Sequence, residues 1–526
     1  MAGGDQVSRR SVIVLGGGAA VLAAMPRFGP ALADPIFIDY PFQLGVAAGD
    51  PAPDGFVIWT RLAPRPLDIG YGMPTATVPV RYEVAADQAF TQIVRTGEAL
   101  ARPELGHAVH VELAGLEPGR PYWYRFIAGA ERSLAGRAKT LPAPGAAVSQ
   151  VRFAVGGCQH YEQGYFTAWR HCAAEDLDFV FCYGDYIYEG RGSAIRNNGG
   201  QPVNAARQHA GTEIYSLDDY RRRYAQYKMD ADLQAAHMAA AWFPVWDDHE
   251  IDNNWVAALD QDGVPPEVFN LRRQMAMQAF YENMPLRARS FPAGPQLALH
   301  RRASFGGLLD MNFLDTRQFR TDQPCGDRWR VTCDTLGDPN ASVLGADQER
   351  WLFDGLSSSR ARWKALAQQV MVMDLDRDPA PEGYAANLDS WGGYRAPRER
   401  LLRHIQDRRV ANTVVLTGDE HQNYAGELHI DGRNPGRNPV AVEFVATSVS
   451  SGGDGQDLRP DMGPIWAANP FLKFNNNQRG YLVCDVNDER WLSTFKVVDR
   501  VSERGGALST RAQWAVAAGD PTLVQV

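Results

Sequence analysis

Between residues 37 and 143 apolar and polar positions alternate in short runs, as in Gly55-Phe56-Val57-Ile58-Trp59-Thr60 and Val80-Arg81-Tyr82-Glu83-Val84. A period of two puts successive side chains on opposite faces of an extended strand, and Pro and Gly turns between the runs predict an all-β sandwich. Tyr122-Trp123-Tyr124-Arg125-Phe126 continues the pattern after a Leu-Glu-Pro-Gly turn at 116–119. Alternating aromatics on one strand serve core and cross-strand packing, so this region carries no candidate chemistry. Pro142-Ala143-Pro144-Gly145 reads as a linker.

From Val151 the rhythm changes. Apolar runs at Val151–Val155, Phe179–Cys182, Ala241–Trp246, Leu308–Leu314, Ala365–Met373 and Thr413–Thr417 predict strands, separated by helical patterns rich in Ala, Arg and Gln. Each strand candidate runs into a loop carrying Asp, Asn, His or Cys. That arrangement predicts a layered α/β domain with its site at the carboxyl ends of the strands. Residues 190–240, with Arg221-Arg222-Arg223, read as a helical insertion near the site mouth.

At 526 residues the chain has room for more than one core, and the reading divides it into segments 1–33, 37–143 and 150–515. A net charge of -9 and the lack of a long basic tract give no general field for nucleic acid, so no specific nucleic-acid binding is expected. The N-terminus carries Ser8-Arg9-Arg10-Ser11, an apolar Gly-rich run from Val12 to Ala24, Arg27, and the small-residue site Ala31-Leu32-Ala33. This reads as a targeting segment resembling the twin-arginine type, with an ordinary secretory signal as the alternative. It predicts export to the periplasm or beyond, without a transmembrane anchor, because no later segment reaches the roughly 20 apolar residues of a span.

Of the six cysteines, Cys325 and Cys333 flank a polar loop, and an oxidising compartment favours a local disulfide between them. Cys172 and Cys182 sit in a helical and a strand pattern and read as buried hydrophobes. Cys158 belongs with a different set. Strand ends supply metal-type ligands: Cys158 in Gly156-Gly157-Cys158-Gln159, Asp185 and Tyr188 in Gly184-Asp185-Tyr186-Ile187-Tyr188, Asp247, Asp248, His249, Glu250 and Asn253 in the third loop, and Asp419 and His421 in Gly418-Asp419-Glu420-His421.

Carboxylates, a thiolate and a phenolate packed together repel, and their pKa values rise until they neutralise unless cations hold them. Ionised Tyr and Cys favour a strongly Lewis-acidic ion such as iron, whereas Asp and Asn oxygens suit calcium or magnesium. Such a cluster can clamp a phosphate and lower the pKa of a bound water from about 15.7 towards 7 for in-line attack on phosphorus. His249 is placed to protonate the leaving alkoxide; its alternative role is as a metal ligand. Arg317 reads as the ion-pair partner of a nearby Asp, with phosphate contact as the alternative. The Ser448–Gly455 loop is either a site lining or a plain Gly-rich turn.

With these residues in place the chain resembles PhoD-type alkaline phosphatases of the metallophosphoesterase superfamily over nearly its whole mature length. Further matching stretches are Val46-Ala47-Ala48-Gly49-Asp50-Pro51, Leu314-Asp315-Thr316-Arg317-Gln318, Asp389-Ser390-Trp391-Gly392-Gly393-Tyr394 and Asn475-Asn476-Asn477-Gln478-Arg479-Gly480-Tyr481. The resemblance implies a sandwich of immunoglobulin or fibronectin-III kind followed by a four-layer α/β/β/α domain, with Fe3+ and Ca2+ at the site. By motif position Cys158, Asp185, Tyr188 and Asp419 correspond to iron-side ligands and Asn253 and His421 to the calcium side, with Asp185 and Asp419 able to serve both. Cys158 replaces the Asp-x-His of most of the superfamily, as in the PhoD branch. Asp248-His249 stands where most members have Asn-His, which leaves Asp248 and Asn253 as alternatives. The implied activity is release of phosphate from small phosphomonoesters, with diesters or phospholipids as further substrates. A phosphodiesterase of phospholipase D type is the alternative on the same cluster, and an exported, non-catalytic binding protein is another, although no ligand is missing.

Overall fold

The computed structural model describes residues 35–190, 205–327, 333–378, 380, 383–432 and 439–526. The segment 1–33 read as an export signal lies outside the described residues.

Short runs that are apolar on both faces become the centre of a ten-stranded sheet. Val151–Gly156, Phe179–Cys182 and Ala241–Pro244 run parallel, with Phe179 opposite both Phe153 and Ala241. Continuous apolarity is what a parallel strand covered on both sides requires. On one flank Gly480–Val486, Arg490–Val498, Leu508–Ala517 and Asp520–Gln525 extend the sheet antiparallel. On the other flank Val46–Ala52 joins in parallel, Gly49 facing Trp242, followed by Gly55–Arg61 and Ala108–Glu112.

A seven-stranded sheet holds Arg301–Phe305, Leu309–Phe313, Trp363–Ala367, Thr413–Thr417, Ala441–Val445, Asn423–Leu428 and Leu472–Asn476, in that spatial order. Aromatic rings from the two sheets meet in a shared core. Phe179 stacks on Phe153 at 4.5 Å and on Phe305 at 4.8 Å, and Phe243 stacks on Phe313 at 4.4 Å. A second core contains Leu352, Leu366, Val370, Leu401 and Val415, from the smaller sheet and the helices Gly345–Ser358 and Arg395–Asp407.

The N-terminal alternation resolves into two faces. Val78–Ala85, Ile93–Ala101, Pro121–Ala128, Glu131–Arg132 and Gly136–Lys139 form a separate five-stranded sheet. Tyr122, Tyr124 and Phe126 pack there against Phe56 and Ile58 of the large sheet. A period of two identifies the buried face of each strand, but not the sheet to which its edges bond.

The expected strand Ala365–Met373 ends early, at Ala367. Gln368 and Gln369 turn the chain out of the sheet through hydrogen bonds to Thr417 Oγ1 (2.7 Å) and the Leu314 carbonyl (3.0 Å), and Val370–Met373 then enter the second core. Within the expected insertion, helix Leu217–Lys228 starts at a capping box between Ser216 and Asp219, and Ala231–Ala239 follows with Asp230 as its cap. Cys325 and Cys333 are joined by a disulfide. Among the described residues no helix is long and apolar enough to cross a membrane.

Candidate metal centre

Each loop of the site begins where a strand stops, and the backbone turns sharply there. Cys158, Asp185, Asp419 and His421 all have positive φ, at 49°, 52°, 62° and 53°. For residues with a Cβ this conformation costs on the order of 1–3 kcal/mol each, and it persists only where surrounding contacts impose it. Close packing supplies the constraint. A Cβ at Gly157 or at Gly418 would run into the Tyr183 ring, so those two glycines let one buried aromatic hold the first and fourth loops together. Glu250 does the same for the second and third, accepting from the backbone N–H of Asp185 (3.0 Å) and of Asp247 (2.8 Å). The Cys158 N–H donates to the Gly184 carbonyl at 3.0 Å, locking the first loop to the second.

Three groups of donor atoms result, each lying within 4.8 Å of one another: Cys158 with Asp185 and His421, Asp185 with Asp248 and His249, and Asp247 with Asp248 and Asp419. Asp185 and Asp248 are shared, so the groups form one continuous cluster. The Tyr188 hydroxyl donates to Asp185 Oδ2 at 2.7 Å and lies 3.2 Å from His421 Nε2. Ser451, from the Ser448–Gly455 loop, donates its hydroxyl proton to Tyr188 or to the Cys158 carbonyl, both at 2.7 Å. That loop lines the site.

Arg317 stands behind the carboxylates, wholly buried. Its Nε donates to Asp247 at 2.6 Å and its Nη1 to Asp389 at 2.7 Å, while Nη2 lies 3.7 Å from Asp248 and 3.9 Å from Asp419. The ion-pair role expected for Arg317 is therefore present, although its Nη2 has no hydrogen-bond partner among the described residues. Asp389 is held in turn by Arg320 at 2.9 Å and by Gln323 at 2.8 Å. His249 Nδ1 meets Glu189 Oε2 at 2.7 Å, and its ring lies 4.1 Å from that of Tyr188. Arg223 donates to the Tyr188 and Gly190 carbonyls. A cavity of about 230 Å3 opens beside Asp419, bounded by Asn254, Arg377, Asn387 and Arg459.

Burial and mutual repulsion dominate the protonation of this cluster. Burial, reinforced by Asp185, Asp419 and Asp247, pushes the Cys158 thiol far up. Burial and then Asp185 do the same to the Tyr188 phenol. Asp419 is driven well above the carboxylate range by burial and by Asp247 and Asp248. Burial raises Asp247 as well, outweighing Arg317. For Asp248 the balance is reversed, since Arg317 and His249 outweigh burial and hold it low. Burial alone would lower His249, but Glu189, Asp248 and Asp185 overcome it and keep the imidazole protonated well above its ordinary range. Asp185 Oδ1, Asp247 Oδ2 and Asp248 Oδ1 are buried without a hydrogen-bond partner among the described residues. Orphaned carboxylate oxygens beside a thiol and a phenol fit a cation site, because a cation would satisfy the oxygens and reverse the pKa rises together.

The sequence-predicted residues Cys158, Asp185, Tyr188, Asp248, His249, Asp419 and His421 are thus brought together. The grouping exchanges two of them: His421 lies with the thiol, and Asp419 lies with Asp247 and Asp248. The Asn253 carboxamide donates to Gln261 at 2.5 Å, and its backbone N–H donates to Glu189 at 3.0 Å. Sequence reasoning missed Glu189 and Asp389 as organisers of the site, and it offered Glu250 as a ligand, whereas Glu250 accepts from the backbone of Asp185 and Asp247. Glu189 directly follows Tyr188, so adjacency to a candidate ligand was a usable signal; nothing local marks Asp389 as a partner of Arg317.

The sequence pattern of the PhoD-like phosphatases matches residues 153–495, and that of the PhoD-like phosphatase N-terminal domain matches residues 29–142. Alkaline phosphatase D of Bacillus subtilis (strain 168) is 47% identical over 483 residues, covering 92% of this chain and 82% of that protein. A solved structure described as that of PhoD superposes with a TM-score of 0.91 at 46% identity, covering 94% of this chain and 93% of the other.

Proposed function

The chain belongs to the PhoD-like phosphatase family and is a phosphoester hydrolase, and from that premise we propose how its own residues carry the reaction. The buried cluster running from Cys158 to Asp419, with its three unpartnered carboxylate oxygens, carries the reading. Cys158, Tyr188, Asp185 and His421 form a donor set suited to Fe3+, while Asp248, Asp247 and Asp419 offer oxygen donors suited to Ca2+. When bound, such cations hold the acids ionised, polarise a phosphoryl oxygen and activate water. Asp248, rather than Asn253, is the ligand of the third loop in this reading, because its buried Oδ1 has no hydrogen-bond partner among the described residues and it belongs to two of the three donor groups.

His249 gives its proton to the departing alkoxide. The Glu189 contact fixes Nδ1 and leaves Nε2 as the atom that donates. Arg317 balances the charge of Asp247 and Asp389 from behind, and its unpartnered Nη2 lies between Asp248 and Asp419. Tyr188 is held by Ser451 and, through its carbonyl, by Arg223. The cavity beside Asp419 has room for the alcohol portion of a small phosphate ester.

The same reading takes residues 1–33 as a twin-arginine signal, places the enzyme outside the cytoplasm, divides the mature chain into 37–143 and 150–515, and arranges the second part as four layers. The test is metal content together with turnover. Purified from its exported form, the protein should contain iron and calcium and hydrolyse p-nitrophenyl phosphate; bis-p-nitrophenyl phosphate and phosphatidylcholine measure diester and phospholipid activity. A fully metal-loaded protein without turnover on any of the three would overturn the site assignment.

A further inference from the structure

A second cavity, of about 300 Å3, lies where the N-terminal strand Val46–Ala52 approaches Arg301–Phe305 of the smaller sheet. Its lining brings the arginines Arg287, Arg289 and Arg301 towards a single lining carboxylate, that of Asp50, while Arg302, next to Arg301 on the strand, turns its guanidinium to the other face, against Trp351 and Gly355. The arginines come from two separate stretches of chain, so their convergence is a product of the fold.

Their positive charge is only partly balanced. Arg301 is buried, with Nε on Asp50 Oδ1 at 2.7 Å, but its other nitrogens donate to the neutral carbonyls of Leu299 and Pro244, each at 2.8 Å. Arg287 donates to the Asp50 carbonyl at 2.9 Å and reaches Glu112 at 3.3 Å. Arg289 is exposed and forms no ion pair among the described residues. Burial lowers the pKa of Arg301, Asp50 opposes the shift, and Arg289 and Arg287 deepen it. Like charges converging on a partly desolvated cavity are unfavourable until an anion joins them, and guanidinium forks match the oxygens of a tetrahedral oxyanion.

We propose that this cavity is an anion site, separate from the metal centre, that binds a free tetrahedral oxyanion of the phosphate class through Arg287, Arg289 and Arg301. Arg289 closes over the ligand from the exposed side, whereas Arg301 supplies the fixed, buried charge. The metal centre lies beyond Asp247 in the loop after Ala241–Pro244; the anion site reaches that strand through Phe243 and the Pro244 carbonyl. Phosphate released by the enzyme is one ligand of the right chemistry.

Inorganic phosphate titrated calorimetrically into the metal-loaded full chain tests this assignment. Two classes of site are expected in the wild type. Arg289→Ala should weaken one of them about tenfold, as the loss of a charge-assisted contact does, and Arg289→Glu should abolish it. Both variants should keep the other class and hydrolyse p-nitrophenyl phosphate within twofold of the wild type. In phosphate-free buffer Arg289→Ala should melt no lower than the wild type, because it relieves repulsion on Arg301; added phosphate should raise the wild-type midpoint more than that of the variant. An unchanged stoichiometry and affinity in Arg289→Glu, or a single class of site in the wild type, overturns the proposal.

Discussion

Replacing Arg317 by Met removes one positive charge from among four acidic side chains while keeping most of the buried volume. The magnitude follows from the distances. Asp248, held ionised at 3.7 Å from Nη2, interacts with a unit charge by about 4 kcal/mol at an effective dielectric of 20, and Asp247 and Asp389 are in direct hydrogen-bond contact. Dehydration of the guanidinium offsets much of this gross attraction. The net cost is therefore that of orphaning a buried ion-pair partner, about 3–5 kcal/mol. Chemical denaturation of metal-loaded and chelator-stripped protein reads the effect. The loss should be larger in the stripped protein, where no cation replaces the missing charge. Adding Asp247→Asn should recover part of it, because that acid loses its one side-chain donor among the described residues and is otherwise driven towards its neutral form by burial. A stripped Arg317→Met protein within 1 kcal/mol of wild type, on the scale set by that range, would refute the argument that this guanidinium neutralises the cluster.

Glu189→Gln removes the strongest carboxylate acting on His249, so the alkaline limb of the kcat/KM profile should move to lower pH; an unmoved limb would separate Glu189 from the acid. Because the folded-state pKa of His249 is raised, the pair's contribution to stability is complete below about pH 6.5 and is lost as pH climbs through the folded value. This contribution should vanish in Glu189→Gln denaturation curves. Cys158→Ala and Tyr188→Phe should each lower bound iron, measured by elemental analysis, and Tyr188→Phe should also remove any visible charge-transfer absorption. Full iron occupancy in Cys158→Ala would strike that residue from the ligands. Asp248→Ala should reduce turnover at least a hundredfold, on the order of the loss of one strong active-site electrostatic interaction, whereas Asn253→Ala should stay within a few-fold; the reverse ranking would return the third-loop ligand to Asn253.

Strand positions around the site were readable because their chemistry is local. Phe179-Val180-Phe181-Cys182 is apolar on both faces and stops at a glycine-bearing turn, and the strand forms over those same residues. Ala365–Met373 was overextended for the same reason: an apolar run has one appearance in sequence whether it continues a strand or leaves the sheet for another core. The side chains that decide, Gln368 and Gln369, do so through partners about 49 to 55 residues away. Likewise Asp389 meets Arg317 across 72 residues of chain, a pairing that no spacing rule could single out. Residue type at strand ends identified the candidate ligands, but their division into groups depends on turn geometry, and the turn at 418–421 places His421 beside the thiol and Asp419 beside Asp247.

That turn geometry connects the strain to the chemistry. Four candidate ligands sit in the left-handed region, where only glycine is comfortable, yet each follows or lies close behind a glycine that serves a different purpose. Gly157 and Gly418 do not themselves need a positive φ; they are required because Tyr183 fills the space a Cβ would occupy. The tyrosine in turn donates to the Thr447 carbonyl at 2.8 Å, at the start of the loop that delivers Ser451 to Tyr188. One buried ring therefore sets the separation of the thiol loop, the Asp419 loop and the serine loop at once. Such over-determination is what lets strained backbone persist at a functional site. It also accounts for acids that repel one another being held at near-contact distances: packing around Tyr183 and the backbone contacts of Glu250 fix the loops, and Arg317 offsets part of their charge.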